Sequence, residues 1–180
     1  MELQAVSGLL SRTIFCQQVR KRTDEWKRGG PTFSVVLIKA NQYEQGGKYY
    51  SQEARVVAAQ AITRFLTATV REMDIVGHYG SGCFALLLPM AGLADAIRIA
   101  ERLREGFSEY TSLAQGEKLR CMMSVGVVQV TEKDDSILLL ERAEAAMAVA
   151  DHQGNNRTCC HDGERCTPIA AMLETTDYLA

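Results

Sequence analysis

The most constraining stretch of the chain is DIVGHYGSGCFALLLP, Asp74 to Pro89, where two short apolar runs are separated by Gly80-Ser81-Gly82. Strand-like runs on either side of a glycine-rich break read as an antiparallel hairpin, because glycine takes the φ > 0 conformations that a tight turn needs. Two glycines at a bend also let a ligand approach the main chain, as phosphate-binding turns do. This turn, however, holds neither an acid nor a base.

The rest of the chain supplies what such a hairpin needs to be buried. Residues 12–28 put Ile14, Phe15, Val19 and Trp26 near one helical stripe before Gly29-Gly30-Pro31 stops it. FSVVLI, Phe33 to Ile38, is a continuous apolar run expected to be the central strand. Residues 51–70 and 94–110 repeat apolar residues at three and four, the first from a Ser51 start, and predict two core helices. Lys118 to Val130 alternates like a strand, and Ser136 to His152 predicts an alanine-rich helix ending at Gly154. Strands interleaved with helices, with one hairpin in the middle, predict an α/β or α+β sandwich in which helices cover a mixed sheet.

Composition narrows the function classes. At 180 residues the chain fits one domain with a real core. A net charge of -2 and a pI near 5.9 argue against a general binder of nucleic-acid polymers or anionic membranes, so any anion site must be local. No apolar run reaches membrane-spanning length, and MELQAVSGLL lacks the features of a signal peptide, so the cytoplasm is the expected compartment. The six scattered cysteines read mostly as reduced thiols. CCHDGERC, Cys159 to Cys166, admits a zinc knuckle of Cys159, Cys160, His161 and Cys166, but without a paired CxxC an ordinary loop or edge strand is the simpler reading.

Four segments in this order resemble the GGDEF domain of bacterial diguanylate cyclases. SGLLSRTIF, Ser7 to Phe15, is similar to the family's TGLxNRxxF, and DIVGHYGSGCFALLLP to DxxxRxGGDEFxxLLP. MSVGVV, Met123 to Val128, is similar to the TxSxGxA strand, and ERAEAAMAVADHQGNN to LxxADxAxYxAKxxGRN. The resemblance covers about residues 4–163. It implies a five-stranded, mostly antiparallel central sheet wrapped by helices, related to nucleotide cyclase cores, with residues 1–163 as a degenerate GGDEF domain and 164–180 as a C-terminal extension. In the family, two domains face each other, each with one GTP, and two metal ions activate a hydroxyl for attack on an α-phosphate.

The residues that carry this chemistry in the family are replaced here. Lys39 stands where the DxDxF motif opens with a metal carboxylate, and an ammonium repels a cation. The guanine-reading positions hold Gly47 and Val56. The signature itself maps to Gly80-Ser81-Gly82-Cys83-Phe84, with Gly82 at the second metal ligand and Cys83 at the following glutamate. The phosphate-holding lysine and arginine become Asp151 and Asn155. The expectation is a domain with no catalytic residues, no metal and no cofactor.

Upstream of the hairpin, Arg71-Glu72-Met73-Asp74 has the form and spacing of the family's inhibitory RxxD site for cyclic di-GMP, and Arg102 sits where the family often supplies a second arginine. An arginine fork grips a phosphate or a guanine edge, and a carboxylate accepts from guanine N1 and N2. The bland alternative is that Arg71 meets the end of a helix dipole and Asp74 caps a turn. His78 and His152 read as a sheet-face and a helix-end histidine, and a nucleophilic Cys83 lacks an indicated oxyanion arrangement. The leading expectation is therefore an inactive GGDEF-like cyclic di-GMP receptor. The alternative is a ligand-independent interaction or dimerisation module, working with a protein partner, a sensor or effector domain, or a second copy of itself.

Overall fold

The structure is a computed structural model and describes residues 9–42, 52–108, 112–114, 117–119, 121–154 and 156–170. Among the described residues, four helices and eight strands follow in chain order: α1 (Arg12–Lys27), β1 (Phe33–Gln42), α2 (Gln52–Thr69), β2 (Ile75–Gly80), β3 (Cys83–Pro89), α3 (Leu93–Ser108), β4 (Ser112–Ala114), β5 (Glu117–Leu119), β6 (Cys121–Gln129), α4 (Ser136–His152), β7 (Arg157–His161) and β8 (Cys166–Pro168). The main sheet has the order β2-β3-β1-β6-β7-β8, and β4 and β5 form a separate small hairpin. Every pairing is antiparallel except that of β6 with β7.

The continuous apolar sequence of β1 follows from burial on both faces. Val36, Ile38 and Ala40 point to a core shared with Ile62 and Leu66 of α2 and Ala96, Ala100, Leu103 and Phe107 of α3. Phe33, Val35 and Leu37 point the other way, against Phe15 and Val19 of α1 and Leu139, Leu140 and Ala143 of α4. The result is a sheet between two helical layers. Gly126 lets α4 lie directly on β6, since a Cβ there would fall 2.4 Å from the Met147 nitrogen.

Two helix starts carry side-chain caps. Ser11 accepts from the Ile14 amide to cap α1, and Asp135 accepts from the Ile137 and Leu138 amides to cap α4. The hairpin forms as expected, with Gly82 at φ 67° in its turn.

Two expectations change. The sheet has six strands rather than five, because Asp162 accepts from the Glu164 and Arg165 amides and turns the chain so that β8 pairs with β7. Residue 163, the expected boundary, lies in the turn between β7 and β8. The single strand expected over 118–130 is divided: Glu117–Leu119 pairs with β4, and only Cys121–Gln129 joins the main sheet. Most of the stretch TPIAAMLETTDYLA, residues 167–180, whose sequence suggests a short terminal helix, and also Gly47, Ser51 and Asn155, lie outside the described residues.

Candidate functional site

The end of β1, the hairpin turn and the last turn of α4 converge. In register, Lys39 faces Cys83 on one side and Ser124 on the other. Lys39 Nζ donates to Asp151 Oδ2 at 2.6 Å, and Ser124 Oγ lies 3.4 Å from Asp151 Oδ1. The two positions whose charges are reversed relative to the resemblance thus answer one another. The lysine lies where a metal carboxylate is expected, the aspartate where a phosphate-binding lysine is expected, and they neutralise each other.

The residues at this place do not fit the two metal ions that the resemblance implies. Lys39 and Gly82 offer no oxygen ligand from their side chains, and among the described residues no three His, Cys, Asp or Glu side chains gather to hold a metal. That holds for the Cys159–Cys166 segment too, which forms β7 and β8. The carbonyl of Gly82 accepts from the Ala40 amide at 2.8 Å, tying the turn to β1.

Burial pushes the Cys83 thiol up, against the opposing pull of Lys39, so the unreactive thiol form is favoured. His78 faces Phe84, not Cys83, and meets that ring edge-on at 5.8 Å. The structure therefore brings no histidine base to Cys83 across the hairpin.

A second constellation lies at the C-terminal end of α2. Asp74 Oδ2 accepts from the Arg71 backbone amide at 2.9 Å and from Arg71 Nε at 3.3 Å, while Oδ1 accepts from Nη2 at 3.1 Å. Arg71 Nη2 also reaches the Pro89 carbonyl at 3.5 Å. The Asp74 side chain is 1% exposed, the Arg71 side chain 48%. Asp74 is thus a buried support that aims an exposed fork, and its own oxygens are taken.

Arg102 of α3 joins this place, its Nη2 donating to the Thr69 carbonyl at 3.1 Å. Arg71, Asp74 and Arg102 therefore gather at one helix end. Beside them Arg98, Glu101, Arg102, Glu105 and Gly106 line a shallow concavity on α3.

Two features were not foreseen. Tyr79 of the hairpin lies under the Arg12 guanidinium, 4.4 Å from its ring centre, and donates to Glu144 at 2.6 Å, while Arg12 and Glu144 pair at 3.4 Å. Burial and then the bond to Glu144 push the Tyr79 phenol up. The same residues help line a groove of about 650 Å³ between α1 and α4, with Arg12 and Arg20 on one wall and Glu141 and Glu144 on the other. The second is the buried pair Arg142–Asp134; Arg142 also donates to the His161 carbonyl at 2.7 Å, pinning β7 to α4. Arg142 was legible only as a charge inside an otherwise apolar helix face.

The fold is shared with solved GGDEF domains. The GGDEF domain of DgcB from Caulobacter crescentus, in complex with c-di-GMP, superposes with a TM-score of 0.80 at 17% identity, covering 87% of this chain and 93% of that one. Diguanylate cyclase SiaD of Pseudomonas aeruginosa, in complex with its activator SiaC, gives 0.78 at 24% identity, covering 87% and 60%. In sequence, response regulator PleD of Caulobacter vibrioides is 28% identical over 154 residues, 84% of this chain and 34% of that protein. Diguanylate cyclase A of Treponema denticola is 23% identical over 127 residues, 70% and 34%. This chain thus spans about a third of the length of these relatives. Residues 3–157 match the family described as diguanylate cyclase, GGDEF domain, and the chain belongs to it. Among the described residues no helix is long and apolar enough to cross a membrane.

Proposed function

We propose that this GGDEF domain makes no cyclic di-GMP and instead binds it, through Arg71 and Arg102 with Asp74 as the group that positions Arg71. The observation that carries the reading is the paired geometry at the end of α2. A half-exposed arginine fork is held by a buried carboxylate, and a second guanidinium is anchored two residues away in sequence, at Thr69. Two neighbouring guanidinium groups suit a ligand with two phosphates and guanine edges that accept hydrogen bonds. The Lys39–Asp151 pair supports the loss of catalysis, because it neutralises internally the charges that would hold metal and triphosphate.

Isothermal titration with cyclic di-GMP tests the receptor reading. Binding at tens of micromolar or below that is lost in Arg71→Ala supports it. No heat, or unchanged binding in that variant, overturns it. GTP turnover with Mg²⁺ or Mn²⁺ tests the other half, and clear product formation overturns the proposed inactivity.

The groove between α1 and α4 favours a second reading, a protein-interaction module. Its basic and acidic walls, with Ile137 exposed at the edge, suit a partner helix. The SiaD structure shows that a protein of this fold is found with an activator.

A further inference from the structure

Among the described residues only five large hydrophobic side chains are exposed, and two of them stand at the Arg71 site. Met73 lies inside the turn that joins Arg71 to Asp74 and is 47% exposed. Met90 follows Pro89, whose carbonyl takes the Arg71 Nη2, and is 63% exposed.

Met90 also has φ 59°, the left-handed region that L side chains disfavour and glycine accepts. The conformation is held from both sides. The Met90 amide donates to the Thr32 carbonyl at 2.9 Å, and Ser34 Oγ donates to the Ala91 carbonyl at 2.9 Å. A glycine or asparagine would fit this position at lower cost. Burial does not repay the methionine, since its side chain stands in water. A strained backbone that presents an exposed, flexible, polarisable side chain next to a cation is a feature that a ligand would explain.

We propose that Met73 and Met90 are the apolar walls of the Arg71 site, placed to hold the flat face of a guanine ring while the arginine takes its edge or its phosphate. The inference rests on the receptor reading above and adds to it the residues that select a purine over a bare phosphate. Thioether sulfur packs favourably on aromatic rings, and methionine adapts its shape to the ring it covers. Arginine supplies the charge, and the methionines supply the discrimination.

The test is titration of cyclic di-GMP into the wild-type chain, Met90→Gly and Met73→Ser, with the thermal midpoint of each unliganded protein measured alongside. Met90→Gly relieves the backbone, so its midpoint should equal or exceed that of wild type. Its dissociation constant should nevertheless rise about two- to tenfold, the range of one sulfur–aromatic contact. Met73→Ser should weaken binding to a similar degree with its midpoint within a degree or two. A purely structural methionine would move stability, not affinity.

Wild-type affinity retained in both variants overturns the inference and leaves the receptor reading standing. Absence of binding by the wild-type chain overturns both.

Discussion

Exchanging the charges of Lys39 and Asp151 is the sharpest perturbation that the structure offers. The pair is partly exposed, 43% at the lysine side chain and 21% at the aspartate. At an effective dielectric of about 20, two unit charges about 4 Å apart attract by about 4 kcal/mol. Desolvation and side-chain ordering remove most of this, leaving on the order of 1 kcal/mol for a pair so open to water. Lys39→Glu alone replaces that attraction by repulsion of similar size, so it should cost about 2 kcal/mol; Asp151→Lys alone should cost about the same. For a domain of this size that lowers the thermal midpoint by about 4–8 °C. The double variant restores opposite charges and should return to within about 1 kcal/mol of wild type, a coupling readily seen in a double-mutant cycle followed by urea unfolding. If the two losses simply add to about 4 kcal/mol, the two side chains do not interact as described. The double variant should still turn over no GTP, because Gly82 and Cys83 remain without carboxylates.

Asp74→Ala leaves the Arg71 fork without its support but open to water and should cost about 2–3 kcal/mol in urea unfolding, whereas Arg71→Ala leaves the buried Asp74 carboxylate without its charged partner and should cost at least as much. Gly126→Ala places a Cβ within 3 Å of α4 backbone and should cost about 3 kcal/mol or prevent folding; a neutral result would show that α4 sits farther from β6. Burial pushes the Cys159 thiol from its ordinary 9.0 up to about 11. A raised folded value means that the native state holds this proton longer than the unfolded chain, so the stability concerned is complete below pH 9 and is lost as pH rises through about 11. That loss, about 2–3 kcal/mol, should be smaller in Cys159→Ala when unfolding is measured at pH 8 and pH 11, and an identical loss would remove Cys159 as its source.

The layout of the fold was legible because its signals are local. The Phe33 run, the glycine-broken hairpin and the apolar spacing of α2, α3 and α4 each state a period that one face of buried structure enforces. What was not legible depends on neighbours distant in sequence. The β8 strand is three residues long and exists because Asp162 turns the chain beside β7, which no period reveals. The split between β5 and β6 interrupts a stretch whose alternation continues across it. At the site, Lys39 and Asp151 were each conspicuous as a wrong charge, but only the sheet and α4 together show that the two errors cancel. Asp74 reads in sequence both as a residue for a ligand and as the cap of a turn; its burial against its own arginine is not legible there, because burial of a carboxylate is a tertiary property.

The place of β1 in the sheet also sets when this chain can fold. Its two hydrogen-bonding edges are taken by β3 and by β6, about 50 and 90 residues downstream. During synthesis this strand emerges before both partners and must wait for them, for several seconds at roughly 5–20 residues per second. For that interval FSVVLI has two unpaired edges and lacks the covering helices α2, α3 and α4, and such an unpaired apolar strand is aggregation-prone. Refolding should accordingly be slow, in milliseconds to seconds, with the closing of β6 onto β1 as its late step.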